Sequence, residues 1–450
     1  MNLALEDLKV YLLCRYALDS GLYSSWHDRL SHGVEVVQQC PTDWQPPDDC
    51  GIVVTHEHFR WEEASALRRI YESESVPVLI IADGVLEYRN TWQNPTIPAG
   101  SIYQPLLGHK IACIGASSAR MIEAWGNRGK TEVIGLPRFD SLLQEQAKEQ
   151  ASDDNEIRIL IATATTPAFN DEQRKTVVRS LRALQEGLNT LGNKGDVEGR
   201  SIKVNWRLTD GLADELGIDS QPEDDEEQES LHDAIRNCHA VITTPSTIYL
   251  ESALLNKPTA ILDFHNVPLF VAPAWSIAAP EHISPVVREL AAPPTARIDY
   301  QNFVLHDHLR CDSPATPRMC QLISKMIQVG FEQRQQNQPV CFNSRLLDSA
   351  GNNDNAPNVA ANKHHEGSVD RSAGELDRLQ AELNQAVHRL GTIPRELAEK
   401  NNQIAQLQTA LDESRRRVAD VRVRLFKLRK ILGIGKENQG EQTAETPSES

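Results

Sequence analysis

The segment Ala240–Phe264, AVITTPSTIYLESALLNKPTAILDF, gathers hydroxyls and acids where a strand runs into a helix. Its apolar start predicts a buried strand ending at Thr243, followed by the polar turn Thr244-Pro245-Ser246-Thr247 and at once by a helix. Ser246 or Thr247 can cap that helix and leave the amides of its first turn facing outward. Spare N–H groups at the positive end of a helix dipole suit a phosphate. Glu251 falls one turn inside the helix, within reach of ribose hydroxyls, and Asp263 and His265 emerge after the next strand. The competing reading is an ordinary βαβ unit with a well-capped helix, since Ser and Thr cap many helices that bind nothing.

A proton acceptor has to come from elsewhere in the chain, and two strand ends offer one. Val53-Val54-Thr55-His56-Glu57-His58 places two histidines just past an apolar run, and Ile80-Ile81-Ala82-Asp83-Gly84 places an aspartate on a glycine turn. Imidazole titrates near neutrality, and burial can raise a carboxyl pKa, so His56, His58 or Asp83 can act as general base. For each, the alternative is a hydrogen-bonded turn residue, and Asp-Gly favours turns in any case. His56 and His58 share a side only if the strand continues through them, and no third ligand follows nearby, so no metal is expected. Trp92, close behind, can stack on a sugar or simply fill the core.

These groups need a scaffold that brings strand ends together. Val34–Val37, Gly51–Thr55, Val76–Ala82, Lys110–Ile114 and Thr131–Gly135 read as strands, with helical patterns at Trp61–Ser73 and Ser117–Gly126 between them. The register restarts with strands Arg158–Ala162, Ser201–Arg207, Ala240–Thr243 and Thr259–Asp263, separated by helices Asp171–Leu188, Leu231–Asn237 and Ser246–Leu255. Two βα sets predict two doubly wound α/β domains, 1–145 and 156–335, whose ligands sit beyond the carboxyl ends of the strands. Facing each other, they form a cleft.

A strand, Ser/Thr turn, helix with internal Glu, Lys257-Pro258 and second strand in succession resembles the donor-binding region of glycosyltransferases with the two-Rossmann GT-B architecture. Cys113–Asp140 ends in GLPRFD, similar to the motif that closes the N-terminal domain in bacterial surface-polymer transferases, CDP-glycerol glycerophosphotransferases among them. The resemblance spans about residues 50–290, and the same architecture serves UDP-N-acetylglucosamine 2-epimerases. It implies an N-terminal acceptor domain and a C-terminal donor domain. Thr244, Ser246 and Thr247 then meet the donor phosphates, Glu251 the ribose, and the turn holding Thr163 and Thr165 approaches the phosphates from the other side. His265 joins the donor side by position. The glycerophosphotransferases carry a His-Pro after the strand that here reads KVNWRLTD; this chain has Arg207 and no His-Pro, which favours a nucleotide sugar over a CDP-alditol. The resemblance further implies a metal-independent transferase with no cofactor, the nucleotide sugar being its substrate and a polysaccharide or lipid-linked molecule its acceptor. CDP-alditol phosphotransfer, 2-epimerisation and a degenerate scaffold working through its C-terminal region are the alternatives.

The bulk numbers fit such a protein. The chain has 450 residues, too many for one ordinary core, and no apolar run approaches the roughly 20 residues needed to span a bilayer. The N-terminus does not read as a signal peptide, so a cytoplasmic location is expected. A formal charge of -17 argues against nucleic acid as a partner, and the cysteines form no CxxC pair that would suggest a zinc or dithiol site. Residues 342–372, rich in Asn, Asp, Gly and Ser, read as a flexible linker. From Leu376 an apolar heptad runs through Leu383, Leu390, Leu397, Ile404, Leu411, Val418, Leu425 and Leu432, so 373–432 is expected to be a coiled coil. Pro394 interrupts it, which leaves an antiparallel hairpin open beside the favoured homo-oligomer. Its basic end, with Arg422, Arg424, Lys427, Arg429 and Lys430, can rest on an anionic membrane surface or form a solvated face. The tail 433–450 is expected to be disordered.

Overall fold

Apolar runs without alternation mark strands buried on both faces, as in a parallel sheet covered by helices. The computed structural model describes residues 4–14, 21–56, 58–73, 75–97, 102–144, 156–193, 197, 199–218, 230–342 and 344–347, and they form two such sheets. All belong to one compact unit, Met1–Asn352.

The first sheet contains β1 (Lys9–Cys14), β2 (Val34–Gln38), β3 (Cys50–Thr55), β4 (Val78–Ile81), β5 (Lys110–Cys113) and β6 (Thr131–Val133), in the order β2-β1-β3-β4-β5-β6. Every pairing is parallel. Its helices are α1 (Gly21–Ser24), α2 (Trp61–Ser73), α3 (Tyr88–Gln93), α4 (Ala116–Ala124) and α5 (Asp140–Gln144). All six residues of β3 are buried, as expected for a strand covered on both faces. The strands expected from the sequence include neither β1 nor, in the second sheet, a short strand at Trp275–Ile277.

The second sheet is also parallel throughout, in the order β11-β10-β9-β7-β8. Its strands are β7 (Glu156–Ala162), β8 (Ser201–Arg207), β9 (Ala240–Thr243), β10 (Thr259–Leu262) and β11 (Trp275–Ile277). Between them run α6 (Asp171–Asn193), α7 (Leu212–Leu216), α8 (Leu231–Asn237) and α9 (Ile248–Leu254), with α10 (Ile283–Ala291) after β11. The apolar face of α6, through Val177, Leu181 and Leu184, packs on Ile157, Ile159 and Ile161 of β7. The α/β fold with two Rossmann-like domains is therefore as the sequence predicts.

The chain does not stay in the second domain to residue 335. After α11 (Thr295–His308), α12 (Ala315–Gln335) lies on the first sheet, burying Met319, Leu322, Ile323, Met326 and Ile327 in the core that also holds Val10, Leu12, Ile52 and Val54. Helical periodicity shows that α12 has an apolar face but not which sheet that face will meet. The Asp140 carboxylate fixes the return by accepting from the N–H groups of Ala315 (2.6 Å) and Thr316 (2.9 Å), at the helix N-terminus where negative charge is favourable. Arg318 Nε donates to the Ile134 carbonyl (2.7 Å).

The start of the expected linker also needs correction. Residues 342 and 344–347 are attached to the first domain rather than free of it. Glu132 accepts from the N–H groups of Leu346 (2.7 Å) and Leu347 (3.2 Å), and Lys110 Nζ donates to the Ser344 carbonyl (2.7 Å). Lys110 and Glu132 are themselves a buried ion pair at 3.0 Å, so each neutralises the other while both hold the chain. Phe342 lies against His109 with ring centroids 5.8 Å apart, and Leu347 is buried. The remainder of the linker, the coiled coil at 373–432 and the tail at 433–450 lie outside the described residues. No helix among the described residues is long and apolar enough to cross a membrane.

Candidate functional site

A cleft of about 640 Å³ separates the carboxyl ends of the two sheets. The second sheet contributes the turns after β7, β8 and β9: Thr163 to Thr166, Arg207 with Thr209, and Pro245 to Ile248 with Glu251. The first sheet contributes the turns after β4 and β6: Asp83 to Val85, Glu87, Asn90 and Arg138. Ligands of doubly wound folds bind at such strand ends.

Seven of the residues singled out from the sequence meet here: Asp83, Thr163, Thr165, Arg207, Ser246, Thr247 and Glu251. The threonine turn is tightly built. Thr163 and Thr209 hydroxyls lie 2.9 Å apart, and Thr209 Oγ1 donates to the Ala164 carbonyl (2.6 Å). Thr165 and Thr166 remain exposed to the cleft. Ser246 Oγ accepts from the Ile248 N–H (3.2 Å), so Ser246 supplies the capping contact at the start of α9, while Thr247 makes none with its side chain. Buried Glu251 is 3.1 Å from His232 Nε2. Gly84 lets the two walls approach closely, since a Cβ there would lie 2.4 Å from Thr247 Oγ1.

Four residues lie elsewhere. Thr244 is buried behind the turn, its hydroxyl accepting from the Ala164 N–H (2.9 Å) and joining the turns after β7 and β9. His56 Nδ1 is hydrogen-bonded to the Tyr23 hydroxyl (2.6 Å), beyond the end of β3 and off the cleft. His58 is fully enclosed, with Nε2 against the Ile102 carbonyl and its ring 5.5 Å from that of Tyr103. Burial pushes its pKa down to about 4, despite the two carbonyls it meets. The two rings thus serve separate packing sites. Asp83 does reach the cleft, and it is exposed there.

His265 belongs to a bridge between the domains. Its Nδ1 is 2.6 Å from Asp263 Oδ1, its Nε2 is 3.2 Å from the Gln173 carbonyl, and Arg89 Nη1 lies 3.3 Å from both ring nitrogens. Arg89, on α3 of the first domain, is fully buried, pairs with Glu87 and donates to the Pro167 carbonyl of the second domain (3.2 Å). The same connection after β10 inserts Phe270 between Tyr88 and Trp125, at centroid distances of 6.0 and 5.8 Å. Trp92 meets Trp125 edge-on at 5.6 Å and does not line the cleft.

Arg138 was missed as a site residue. It is the arginine of GLPRFD, a motif whose resemblance speaks to domain closure; the usable signal was a cation on the first turn beyond a strand.

No family model matches the sequence, and no curated protein matches it. Among solved structures, the fold is similar to the wall teichoic acid polymerase TagF, with 11% identity over 74% of this chain and 92% of that one and a TM-score of 0.44. A UDP-N-acetylglucosamine 2-epimerase, described as putative, from Listeria monocytogenes shares 10% identity over 74% of this chain and 99% of that one, at a TM-score of 0.47. A UDP-GlcNAc 2-epimerase from Neisseria meningitidis, bound to UDP-GlcNAc, shares 14% over 70% and 99%, at 0.45.

Proposed function

We propose that the chain is a metal-independent glycosyltransferase that takes a sugar from a nucleotide-sugar donor to a polysaccharide or lipid-linked acceptor. The observation that carries this reading is the cleft wall on the second sheet, where Arg207, the Thr163–Thr166 turn, Ser246, Thr247 and Glu251 converge from three successive strand ends. In this reading the guanidinium of Arg207 and the hydroxyls and amides of the turns meet the donor diphosphate. They counter the charge that grows on it as the sugar leaves, a task that charge-assisted hydrogen bonds can perform without a metal. Glu251, already holding one acceptor–donor contact with His232, presents its carboxylate to ribose hydroxyls. Asp83 faces them from the opposite wall as the group that takes the acceptor hydroxyl's proton. Glu87, also on that wall, is committed to Arg89 and to the Asn90 N–H.

The test is thermal stabilisation of the purified chain by UDP, CDP, GDP and their sugar or alditol conjugates. Selective binding of one nucleotide to the folded state stabilises it by mass action, by about 2.7 kcal/mol at a ligand concentration 100 times Kd, and so raises the melting temperature. A shift confined to one base, larger with its sugar conjugate, is expected. A folded sample that responds to none of them overturns the reading. Product analysis with the stabilising conjugate then separates transfer from epimerisation, because only epimerisation proceeds without an acceptor.

A further inference from the structure

The cleft has a cation on its first-domain wall whose backbone turn is held in place and whose guanidinium donors have no acceptor among the described residues. Arg138 sits in the short turn Pro137–Phe139, and that turn is held from several directions. Gly135 enters it at φ 90°, with its Cα so close to the Arg310 carbonyl that a Cβ would lie 2.5 Å from that oxygen. Asp140 leaves it bonded to the start of α12, and Leu136 and Phe139 are buried on either side. The Arg138 guanidinium lies 5.3 Å from the Phe139 ring centroid, half-buried, and lines the cleft. Among the described residues it makes no ion pair and no hydrogen bond. The neighbouring arginines differ: Arg310 donates to the Val133 carbonyl and pairs with Asp312, and Arg318 donates to the Ile134 carbonyl and approaches the same aspartate.

The Phe139 ring covers one face of the guanidinium but leaves its N–H donors without an acceptor, and withdrawing such donors partly from water costs free energy. Their fork matches the paired oxygens of an oxyanion such as a phosphate or a carboxylate, and in a cleft lined with hydroxyls and Arg207 a phosphate is the oxyanion that suits the opposite wall as well. Across the cleft stand Arg207 and the exposed Thr165 and Thr166. We infer that Arg138 is an anion-binding residue that grips a phosphate oxyanion from the first-domain side of the cleft. The inference deepens the nucleotide-sugar reading and rests on it for the identity of the ligand. The phosphate belongs either to the donor, held between both walls, or to an acceptor that carries one.

The experiment is isothermal titration of the full chain with inorganic pyrophosphate, with the nucleoside diphosphate that stabilises it best, and with the matching nucleoside. Wild type, Arg138→Gln and Arg138→Lys are compared. Arg138→Gln is expected to weaken pyrophosphate at least about tenfold, the scale of a hydrogen bond to a charged group, with nucleoside affinity and melting temperature unchanged. Arg138→Lys keeps the charge without the fork and recovers only part of the loss. A parallel loss for the nucleoside diphosphate assigns the phosphate to the donor; a loss for pyrophosphate alone assigns it to the acceptor. Unchanged pyrophosphate and nucleoside diphosphate affinities in Arg138→Gln overturn the inference while leaving the nucleotide reading standing, and so does a wild type that binds nucleotide but not pyrophosphate. A wild type that binds pyrophosphate through Arg138 but no nucleotide does the reverse.

Discussion

Among the described residues, Asp83 is the first-domain acid that reaches the cleft without a hydrogen-bonded role in the fold, whereas the histidines that share its end of the sheet are occupied by packing. If it takes the acceptor proton, Asp83→Asn removes the base and keeps the shape. Turnover with the stabilising donor is expected to fall by about 10²–10⁴-fold, the usual range for general-base loss, while nucleotide affinity stays the same. A variant with full turnover removes Asp83 from the chemistry. Affinity depends instead on the opposite wall. Replacing both Ser246 and Thr247 by Ala removes two hydroxyls there and is expected to weaken nucleotide binding in titration; unchanged affinity moves the donor away from this turn. These residues were legible in the sequence because their types are unusual where they stand: hydroxyls in a strand-to-helix turn, an acid on a glycine turn. His56 and His58 were conspicuous for the same reason and misleading, because residue type does not reveal that His58 is enclosed by Ile102, Phe59 and Tyr103.

Elements positioned by long-range packing are where the sequence is silent, and α12 is the strongest case. Gly330 lies inside this helix, where Ala is ordinarily better by about 1 kcal/mol. Here a Cβ would stand 2.4 Å from Pro77 Cγ and 2.9 Å from its Cδ, against a ring that cannot rotate aside. Overpacking of that kind costs about 1–3 kcal/mol, so the steric term is expected to exceed the propensity gain and Gly330→Ala should lower stability to denaturant. Gly192, in α6, has nothing within 4 Å of its Cβ position, so Gly192→Ala should be neutral or stabilising by up to about 1 kcal/mol. Equal effects at the two sites would mean that α12 does not press on Pro77. Parallel strands such as β3 and β4 could be read directly, because burial on both faces leaves uninterrupted apolar runs. The three-residue β11 is too short to leave any pattern, and the crossing of α12 to the first sheet depends on Asp140, distant in sequence from the helix it caps.

At the scale of the whole molecule, the first domain encloses two histidines whose charge state the fold constrains, and acid should expose this. His58 is held down to about 4 by burial, and His109, between Tyr71 and Phe342, is also pushed down to about 4 by burial and by the nearby Lys130 ammonium. An unfolded histidine takes up its proton near pH 6.5, whereas these two stay neutral in the folded chain until about pH 4. The unfolded state therefore binds more protons within that window, and stability rises with pH across it. Above the window the contribution is fully present; as pH falls from about 6.5 towards 4 it is lost, by up to about 3 kcal/mol for His58 alone at 1.36 kcal/mol per unit. Carboxylates add their own acid dependence, so the comparison to make is denaturant stability of wild type and His58→Gln from pH 7.5 to 4.5. The variant is expected to start less stable, having lost its contact with the Ile102 carbonyl, but to lose less on acidification. Parallel pH profiles would mean that His58 is as accessible to protons in the folded chain as in the unfolded one, and its enclosure would then have to be far looser than its contacts imply.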